Sequence, residues 1–409
     1  MPLPYTLAPL RRRAFVLLSS GSLLTFFGAN IQVVGAAWEM MSLTSSPTLV
    51  ALVQTASTLP ALLFALPGGA LADRFDRRRV LITAQMIMLS AAGLLVVVQR
   101  SGAMTPWLLL GLTFLLNIGS ALRMPVQSAL ASGMVSRSEV PAAVSLIGIS
   151  ANLGRCAGPG IGGILMGVFG AVGAFGANMI CLCGALFSSL TMRTAAPKED
   201  RRHSHIGAMI MEGMRYCVAE RAILKLQIRT FFLAFSGMAL WALLPLIAKS
   251  NLGGSPLSLG ILLGSQGLGA IIAAVHIPRW MSRFGIDSLL HRSTLVFVLV
   301  LLVAAWVENL LWLIPTLVAG GFAWMVFLTA PSSTIQMMSP ALVQGRVVSV
   351  ALMAMYAAMG LGAWCWGAVA GAIGLGGALT LAAVVQAVNL ALGWKLPHGP
   401  DESAPLAGG

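Results

Sequence analysis

Charged residues are scarce in this sequence. They account for 9% of its 409 residues, whereas roughly a quarter of the residues in an ordinary soluble domain are charged. Hydrophobic residues account for 58%. A chain this poor in charge cannot cover its surface as soluble proteins do, so the composition predicts a membrane protein.

Motifs of catalysis and cofactor binding are also missing. The sequence contains neither H-E-x-x-H nor G-x-S-x-G, and it lacks the G-x-x-x-x-G-K-[ST] loop that binds ATP. The stretch GPGIGG at 158–163 matches G-x-G-x-x-G, but it lies inside an apolar helical run and does not follow a strand. We therefore predict that the protein is not an enzyme and carries no cofactor.

Metal-ligand spacings are absent as well. The five cysteines fall in apolar runs or in the central linker, without zinc or thioredoxin spacing, and they are interpreted as packing residues. His203 and His205 are the nearest approach to a ligand pair. A solvated linker is the favoured interpretation, with a metal site as the alternative.

Long apolar runs are what the sequence has in abundance. A membrane helix needs about 20 apolar residues, and such runs fit helices because barrel strands are about 10 residues of strict alternation. The sequence predicts an all-α polytopic membrane protein with twelve transmembrane helices. They cover 15–37, 48–70, 80–99, 106–128, 142–165, 169–191, 226–248, 257–278, 289–306, 311–331, 346–368 and 373–394.

Positive charge orients these spans. With the N-terminus inside, nearly all of the 25 Lys and Arg residues fall in cytoplasmic segments, as the positive-inside rule requires. We predict cytoplasmic termini and a bacterial inner-membrane location with the lipid bilayer as a partner. The formal charge of +13 then reflects topology, and nucleic acid is not a predicted partner.

The longest polar stretch divides six spans from six. It predicts an N-terminal half at 1–192, a cytoplasmic linker at 193–225, a C-terminal half at 226–396 and a cytoplasmic tail at 397–409. Landmarks recur between the halves at a nearly constant offset, namely Arg77 and Arg283, Pro125 and Pro331, Arg137 and Arg346, and Gly167 and Gly371. Two pseudo-symmetric six-helix repeats place a substrate site at their interface.

One charged stretch, GGALADRFDRRRV at 68–80, interrupts two apolar runs. It resembles the G-x-x-x-D-R-x-G-R-R signature of the major facilitator superfamily, with Asp76 in place of the usual glycine. The Asp form resembles the transmembrane secretion effector branch, to which the enterobactin exporter is related. Further resemblance lies in TLPALLFALPGGALADRFDRRRVLITAQ at 58–85, RMPVQSALASGMVSRSEVPAAVSL at 123–146 and NLGRCAGPGIGGIL at 152–165.

The resemblance implies a conformational latch at this loop. Asp73 would engage the cytoplasmic start of span 11, where Arg346 lies, and the contact would hold the outward-facing state. The predicted latch residues are Gly69, Asp73, Arg74, Arg77, Arg78 and Arg346. The alternative is a loop that serves only as a topology anchor.

The fifth span carries two further features. Gly158, Pro159, Gly162 and Gly163 resemble the antiporter motif of this span, for which a conformational role and an ordinary packing face are the two interpretations. Arg155 lies near the middle of the span and needs a cavity or a partner, since a mid-membrane arginine costs at least ~2.5 kcal/mol. With Asn152 one turn earlier, it either binds an anionic group of the substrate or has a structural role.

The resemblance also implies that spans 1, 4, 7 and 10 line a central path. Their unusual polar and aromatic residues are candidates for substrate contact, although each could instead join helices and Arg123 could snorkel. The candidates are Asn30, Gln32, Asn117, Arg123, Phe235, Trp241, Trp324, Thr329 and Ser332.

Energy coupling has few candidate residues. An ion gradient is the default source without an ATP site, and protons are the possible coupling ion, with Glu39 and Asp73 as candidate carriers. We predict a monomeric secondary transporter that exports a drug-like or siderophore-like molecule by alternating access. The alternatives are an importer of the same fold and a transport-inactive membrane sensor.

Overall fold

A computed structural model describes residues 5–192, 206–251, 254–340 and 343–394. These residues are almost entirely helical and contain no strand. Their ten α-helices are α1 (Arg13–Leu43), α2 (Pro47–Arg74), α3 (Arg77–Arg100), α4 (Pro106–Gly133), α5 (Val140–Thr191), α6 (Ile206–Ala219), α7 (Arg221–Asn251), α8 (Pro256–Trp306), α9 (Leu310–Met338) and α10 (Gln344–Trp394).

Nine segments of the described chain are long and apolar enough to cross a bilayer. Those in α5, α8 and α10 are 55, 51 and 48 residues long, more than twice the ~20 residues that one crossing requires. Each of these helices is interrupted by a glycine with positive φ: 64° at Gly170, 72° at Gly285 and 80° at Gly374. Side chains disfavour this region of backbone space, so glycine is the residue that permits the break.

Helix α5 turns back on itself at Gly170, and α1 lies between its two arms. The contacts along α1 are Gly154 with Phe26 and Gly162 with Ile31 before the break, then Phe175 with Gly35 and Ala185 with Gly21 after it. Positions on α1 therefore rise along the first arm of α5 and fall along the second. The two arms run in opposite directions, as two consecutive membrane crossings would.

The bundle has one arginine-rich end, which we call the basic end and define by Arg77, Arg137 and Arg346. Helices α2 and α10 run antiparallel between this end and the opposite one, since Thr55 Oγ1 donates to the Gly360 carbonyl at 3.0 Å and Thr48 Oγ1 to that of Gly367 at 3.3 Å. At the opposite end, Lys249 Nζ of α7 donates to the Met41 carbonyl of α1 at 2.6 Å.

The predicted linker at 193–225 contains a helix that its polarity did not predict. Helix α6 packs on the start of α10, where a side chain added at Gly213 would meet the carbonyl oxygen of Arg346 at 2.9 Å. Cys217 is buried on the same face of α6, whereas Met211, Met214 and Val218 are exposed on the other face. The remainder of the linker between α5 and α6, and the tail, lie outside the described residues.

Candidate functional site

A cavity of about 90 Å³ lies among α1, α2, α4, α7 and α8. Its wall is mostly apolar, and the side chains that line it include no charged group. Its polar and aromatic lining residues are Gln32, Gln54, Ser57, Thr113, Asn117 and Trp241. Gln32, Asn117 and Trp241 were predicted for the path, and the structure brings these three together.

Three lining residues carry buried polar atoms that have no hydrogen-bond partner among the described residues: Gln32 Nε2, Thr113 Oγ1 and Trp241 Nε1. Leaving such a group unpaired in a protein interior costs about 1–3 kcal/mol. Two of the three atoms are N–H donors and the third is a hydroxyl. The arrangement suits a ligand whose hydrogen-bond acceptors would satisfy these donors.

Neighbouring helices hold two of these side chains in place. The Oε1 atom of Gln32 accepts a hydrogen bond from Asn178 Nδ2 of α5 at 3.4 Å, which leaves the amide nitrogen unpaired. The Trp241 ring packs against Trp324 of α9 at 5.9 Å between centroids, and Trp324 packs against Phe297 at 6.2 Å. Contacts with α5 and α9 therefore hold Gln32 and Trp241 in position at the cavity wall.

Other predicted path residues satisfy their polar groups within their own helices. The Asn30 and Asn117 amides donate to carbonyls one turn earlier at 2.7 and 2.8 Å. The hydroxyls of Thr329 and Ser332 do the same at 2.8 and 3.0 Å. Phe235 packs against Trp366, 5.7 Å away between ring centroids. Apart from Asn117, the structure does not place these residues in the cavity wall.

Arg123 of α4 is buried within the protein, because only 2% of its surface is exposed. Its side chain therefore does not snorkel to the membrane surface. It donates to the Gln127 side chain one turn later. Its guanidinium lies 5.0 Å from the centroid of the Phe26 ring on α1, a cation–π distance. Arg123 therefore connects α4 to α1.

Arg155 differs from Arg123 because its side chain is exposed. Its Nη1 atom donates to Asn152 Oδ1 at 3.0 Å, as the one-turn spacing predicted. Its guanidinium also lies within electrostatic range of the Tyr356 phenol on α10. The backbone carbonyl of Arg155 lies against Gly267 of α8, so α5 and α8 are in close contact at this level.

The predicted latch is described only in part. Gly69, Asp73 and Arg74 lie outside the residues whose side chains are described. Arg346 forms an ion pair with Glu212 of α6, a contact that the sequence did not predict. The contact between Asp73 and the start of α10 stays a prediction.

The two following arginines of the latch bind helix ends. Arg77 Nη1 donates to the Ala129 carbonyl of α4 at 3.4 Å. Arg78 donates to the carbonyls of Ser189 and Leu190, in the last turn of α5, at 3.1 and 2.5 Å. Cations near the C-terminus of a helix bind its unpaired carbonyls and complement the helix dipole. These two arginines therefore connect the start of α3 to the ends of α4 and α5 at the basic end.

Asp76, the departure from the usual glycine, caps α3: its side chain accepts a hydrogen bond from the Arg79 backbone N–H at 2.9 Å. We expect Asp76→Ala to lower the free energy of unfolding by about 1 kcal/mol, the usual cost of a lost N-cap. Thermal unfolding of the purified protein measures the loss. Asp76→Asn retains a capping oxygen and should restore most of the stability, and an equal loss in both variants would contradict the capping role.

The glycine motif of α5 lies in two close helix contacts. A Cβ atom at Gly158 would lie 2.6 Å from Asn30 Cβ of α1, and one at Gly163 would lie 2.8 Å from the Pro256 carbonyl oxygen of α8. Gly162 lies against Ile31, and the Pro159 carbonyl lies against Gly260 of α8. Small residues here let α1 and α8 approach the α5 backbone.

Glu39, the candidate proton carrier, is 7% exposed near the end of α1 opposite the basic end. Its Oε1 atom accepts a hydrogen bond from Gln99 Nε2 of α3 at 2.9 Å. Across the part of the chain that the structure describes, no group of three or more His, Cys, Asp or Glu residues could hold a metal. His203 and His205 lie outside that part.

Sequence reasoning missed Gln54, Ser57 and Thr113 of the cavity wall. The resemblance implies a path lined by spans 1, 4, 7 and 10, whereas Gln54 and Ser57 lie on α2. Their three-residue spacing within an apolar run puts both side chains on one helix face, a signal that could have identified them. Thr113 lies one turn before Asn117, which the sequence did identify.

Comparison with known proteins identifies a family and related sequences. The profile of a family described as transmembrane secretion effector matches residues 5–407. The Staphyloferrin A transporter of Staphylococcus aureus is 25% identical over 293 residues, which cover 69% of this chain and 71% of that protein. The multidrug efflux pump Tap of Mycolicibacterium fortuitum is 24% identical over 388 residues, 90% of each chain.

Solved structures agree at the level of the fold. The crystal structure of the nucleoside transporter NupG matches with a TM-score of 0.79 over 94% of this chain and 99% of that one, at 12% identity. An identity this low shows a shared fold alone.

Proposed function

Because this chain belongs to the transmembrane secretion effector family of the major facilitator superfamily, a family of membrane transporters, we propose that it exports a small molecule by alternating access. The cavity among α1, α2, α4, α7 and α8, with unpaired polar atoms on Gln32, Thr113 and Trp241, is the observation that carries the proposal. One relative is named for multidrug efflux and another for staphyloferrin A. These names support a drug-like compound or a siderophore-like metabolite as cargo.

We propose that the chain crosses the membrane twelve times, in two six-helix halves at 1–192 and 226–396. Dividing α5, α8 and α10 at Gly170, Gly285 and Gly374 would turn nine apolar segments into twelve crossings. The breaks in α5 and α10 also occupy corresponding places in the two halves. This regularity supports two related repeats with the substrate between them.

The basic end is proposed to face the cytoplasm of a bacterial cell, with both chain termini on that side, because short cytoplasmic loops accumulate Lys and Arg. The export cycle is proposed to draw on an ion gradient, with Glu39 and Asp73 as proton-carrying candidates. Asp73 and Arg346 are proposed to form the latch of the outward-facing state, and the α5 glycines to accommodate the movement of α1 and α8.

Cellular accumulation of a panel of dyes, macrolides and siderophores tests the proposal in cells that lack their own efflux pumps. We expect the wild type to lower accumulation of at least one compound. Trp241→Ala and Asp73→Asn should abolish most of that effect, because the first removes a cavity wall and the second the latch. Trp107→Ala, a matched change at a tryptophan that is 70% exposed, should leave export intact at equal membrane expression.

Two outcomes would replace the proposal with its alternatives. Raised accumulation in the wild type would indicate an importer of the same fold. Unchanged accumulation of every compound, together with no effect of Asp73→Asn, would favour the transport-inactive sensor.

A further inference from the structure

Arg155 lies deep in the membrane-spanning part of α5. The first arm of this helix runs from Val140 to the break at Gly170, so Arg155 is at its midpoint, roughly 20 Å from either end at 1.5 Å per residue. A cation at this depth costs at least ~2.5 kcal/mol unless it is neutralised or solvated. The position therefore requires a compensating partner.

No carboxylate of the described residues forms an ion pair with Arg155; the described ion pairs involve Arg12, Arg229 and Arg346 instead. The groups found near the Arg155 guanidinium are the neutral side chains of Asn152 and Tyr356. Asn152 accepts one hydrogen bond from a guanidinium that has five N–H donors. The side chain thus retains both its positive charge and donors for a further ligand.

The surroundings of Arg155 include α1, α8 and α10. Its neighbour Gly154 packs on Phe26 of α1, its own carbonyl packs on Gly267 of α8, and its guanidinium approaches Tyr356 of α10. The first two contacts place the backbone around Arg155 between α1 and α8, and the third directs its guanidinium toward α10. The approach to Tyr356 of α10 places the guanidinium on a side of α5 that faces another helix.

The cavity and Arg155 lie at neighbouring levels of the bundle. Gly154 and Gly158, which flank Arg155, pack against Phe26 and Asn30 of α1, and the cavity begins at Ala29 and Gln32. The α5 backbone at Arg155 is thus level with the stretch of α1 from Phe26 to Asn30, at the side of the uncharged cavity nearer the basic end. A molecule that spans both would meet neutral donors at one end and a cation at the other.

We propose that Arg155, with Asn152 and Tyr356, is an anion-binding subsite, and that the exported molecule carries a carboxylate or comparable anionic group beside a neutral, acceptor-bearing body. The inference rests on the proposed transport function. A guanidinium binds carboxylate through paired N–H donors. The uncharged cavity lining offers no counter-charge to a cationic substrate.

Two xanthene dyes of opposite charge provide the test: anionic carboxyfluorescein and cationic rhodamine 123. Fluorescence anisotropy measures their binding to the full-length protein purified in detergent. We expect the wild type to bind carboxyfluorescein at least about tenfold more tightly than rhodamine 123. Arg155→Gln should remove this preference, whereas Arg155→Lys should keep part of it because the charge remains.

Arg292→Gln is the matched control, because it removes an equal charge from an exposed arginine that packs on Phe284, and it should leave the preference unchanged. Failure to bind carboxyfluorescein, equal binding of the two dyes, or an unchanged preference in Arg155→Gln would each overturn the anion subsite. Export measured in cells remains a separate result: a wild type that exports rhodamine 123 but fails the dye comparison would keep its transport function and lose this inference.

Discussion

Asp287→Leu is expected to lower the free energy of unfolding by about 3 kcal/mol, because it would leave a buried arginine without its counter-charge. Arg229 of α7 is 4% exposed, and its Nη1 atom lies 3.7 Å from Asp287 Oδ1 of α8. None of its guanidinium nitrogens has a hydrogen bond within the described residues. Thermal unfolding in detergent measures the loss.

Two further variants separate the lost pair from a general effect of the substitution. The double variant Arg229→Met with Asp287→Leu should recover most of the stability, since an apolar pair leaves no charge buried. Glu212→Gln breaks a solvent-exposed pair and should cost less than about 1 kcal/mol. A double variant no more stable than Asp287→Leu alone would contradict the explanation.

Gly321→Leu is expected to prevent close packing of α8 on α9, at a cost of about 3 kcal/mol or more. A Cβ atom at position 321 would lie 2.8 Å from Gln266 Cα and closer still to the carbonyl group of that residue. Backbone atoms cannot turn aside as a flexible side chain can, so the two helices must separate. Size-exclusion chromatography after detergent extraction should show a large loss of monodisperse protein.

Gly167→Leu is the control for this prediction. Position 167 is a helical glycine of α5 that is exposed and has open space around its missing side chain. It should tolerate leucine with little change in yield or unfolding temperature. Equal loss in both variants would show that glycine flexibility matters more than the contact between α8 and α9.

The helices themselves were largely predictable from the sequence, because long apolar runs in lipid leave the backbone few alternatives to a helix. The breaks at Gly170, Gly285 and Gly374 lie at or near predicted ends of spans. Helix α6 was not predicted, because its position depends on packing against α10. A polar composition marked the linker but could not indicate which of its residues pack on the bundle.

The cavity was predictable only in part. Gln32 and Trp241 are conspicuous in apolar helices, and Arg155 is conspicuous because of its charge. By contrast, the approach of Tyr356 to Arg155 and the pairing of Arg229 with Asp287 join residues far apart in the chain. A single sequence does not encode such pairings as a local pattern, since they depend on how the helices are arranged.

The arginines after Asp76 bind peptide carbonyls, and this choice of acceptor affects how the contact varies among related sequences. Arg78 would find the same acceptors whichever residues stood at positions 189 and 190, so we expect no co-variation between those positions and position 78. A peptide carbonyl also gains no proton under mildly acidic conditions, whereas a carboxylate does. This contact should therefore persist through acidification that would weaken an arginine–carboxylate pair.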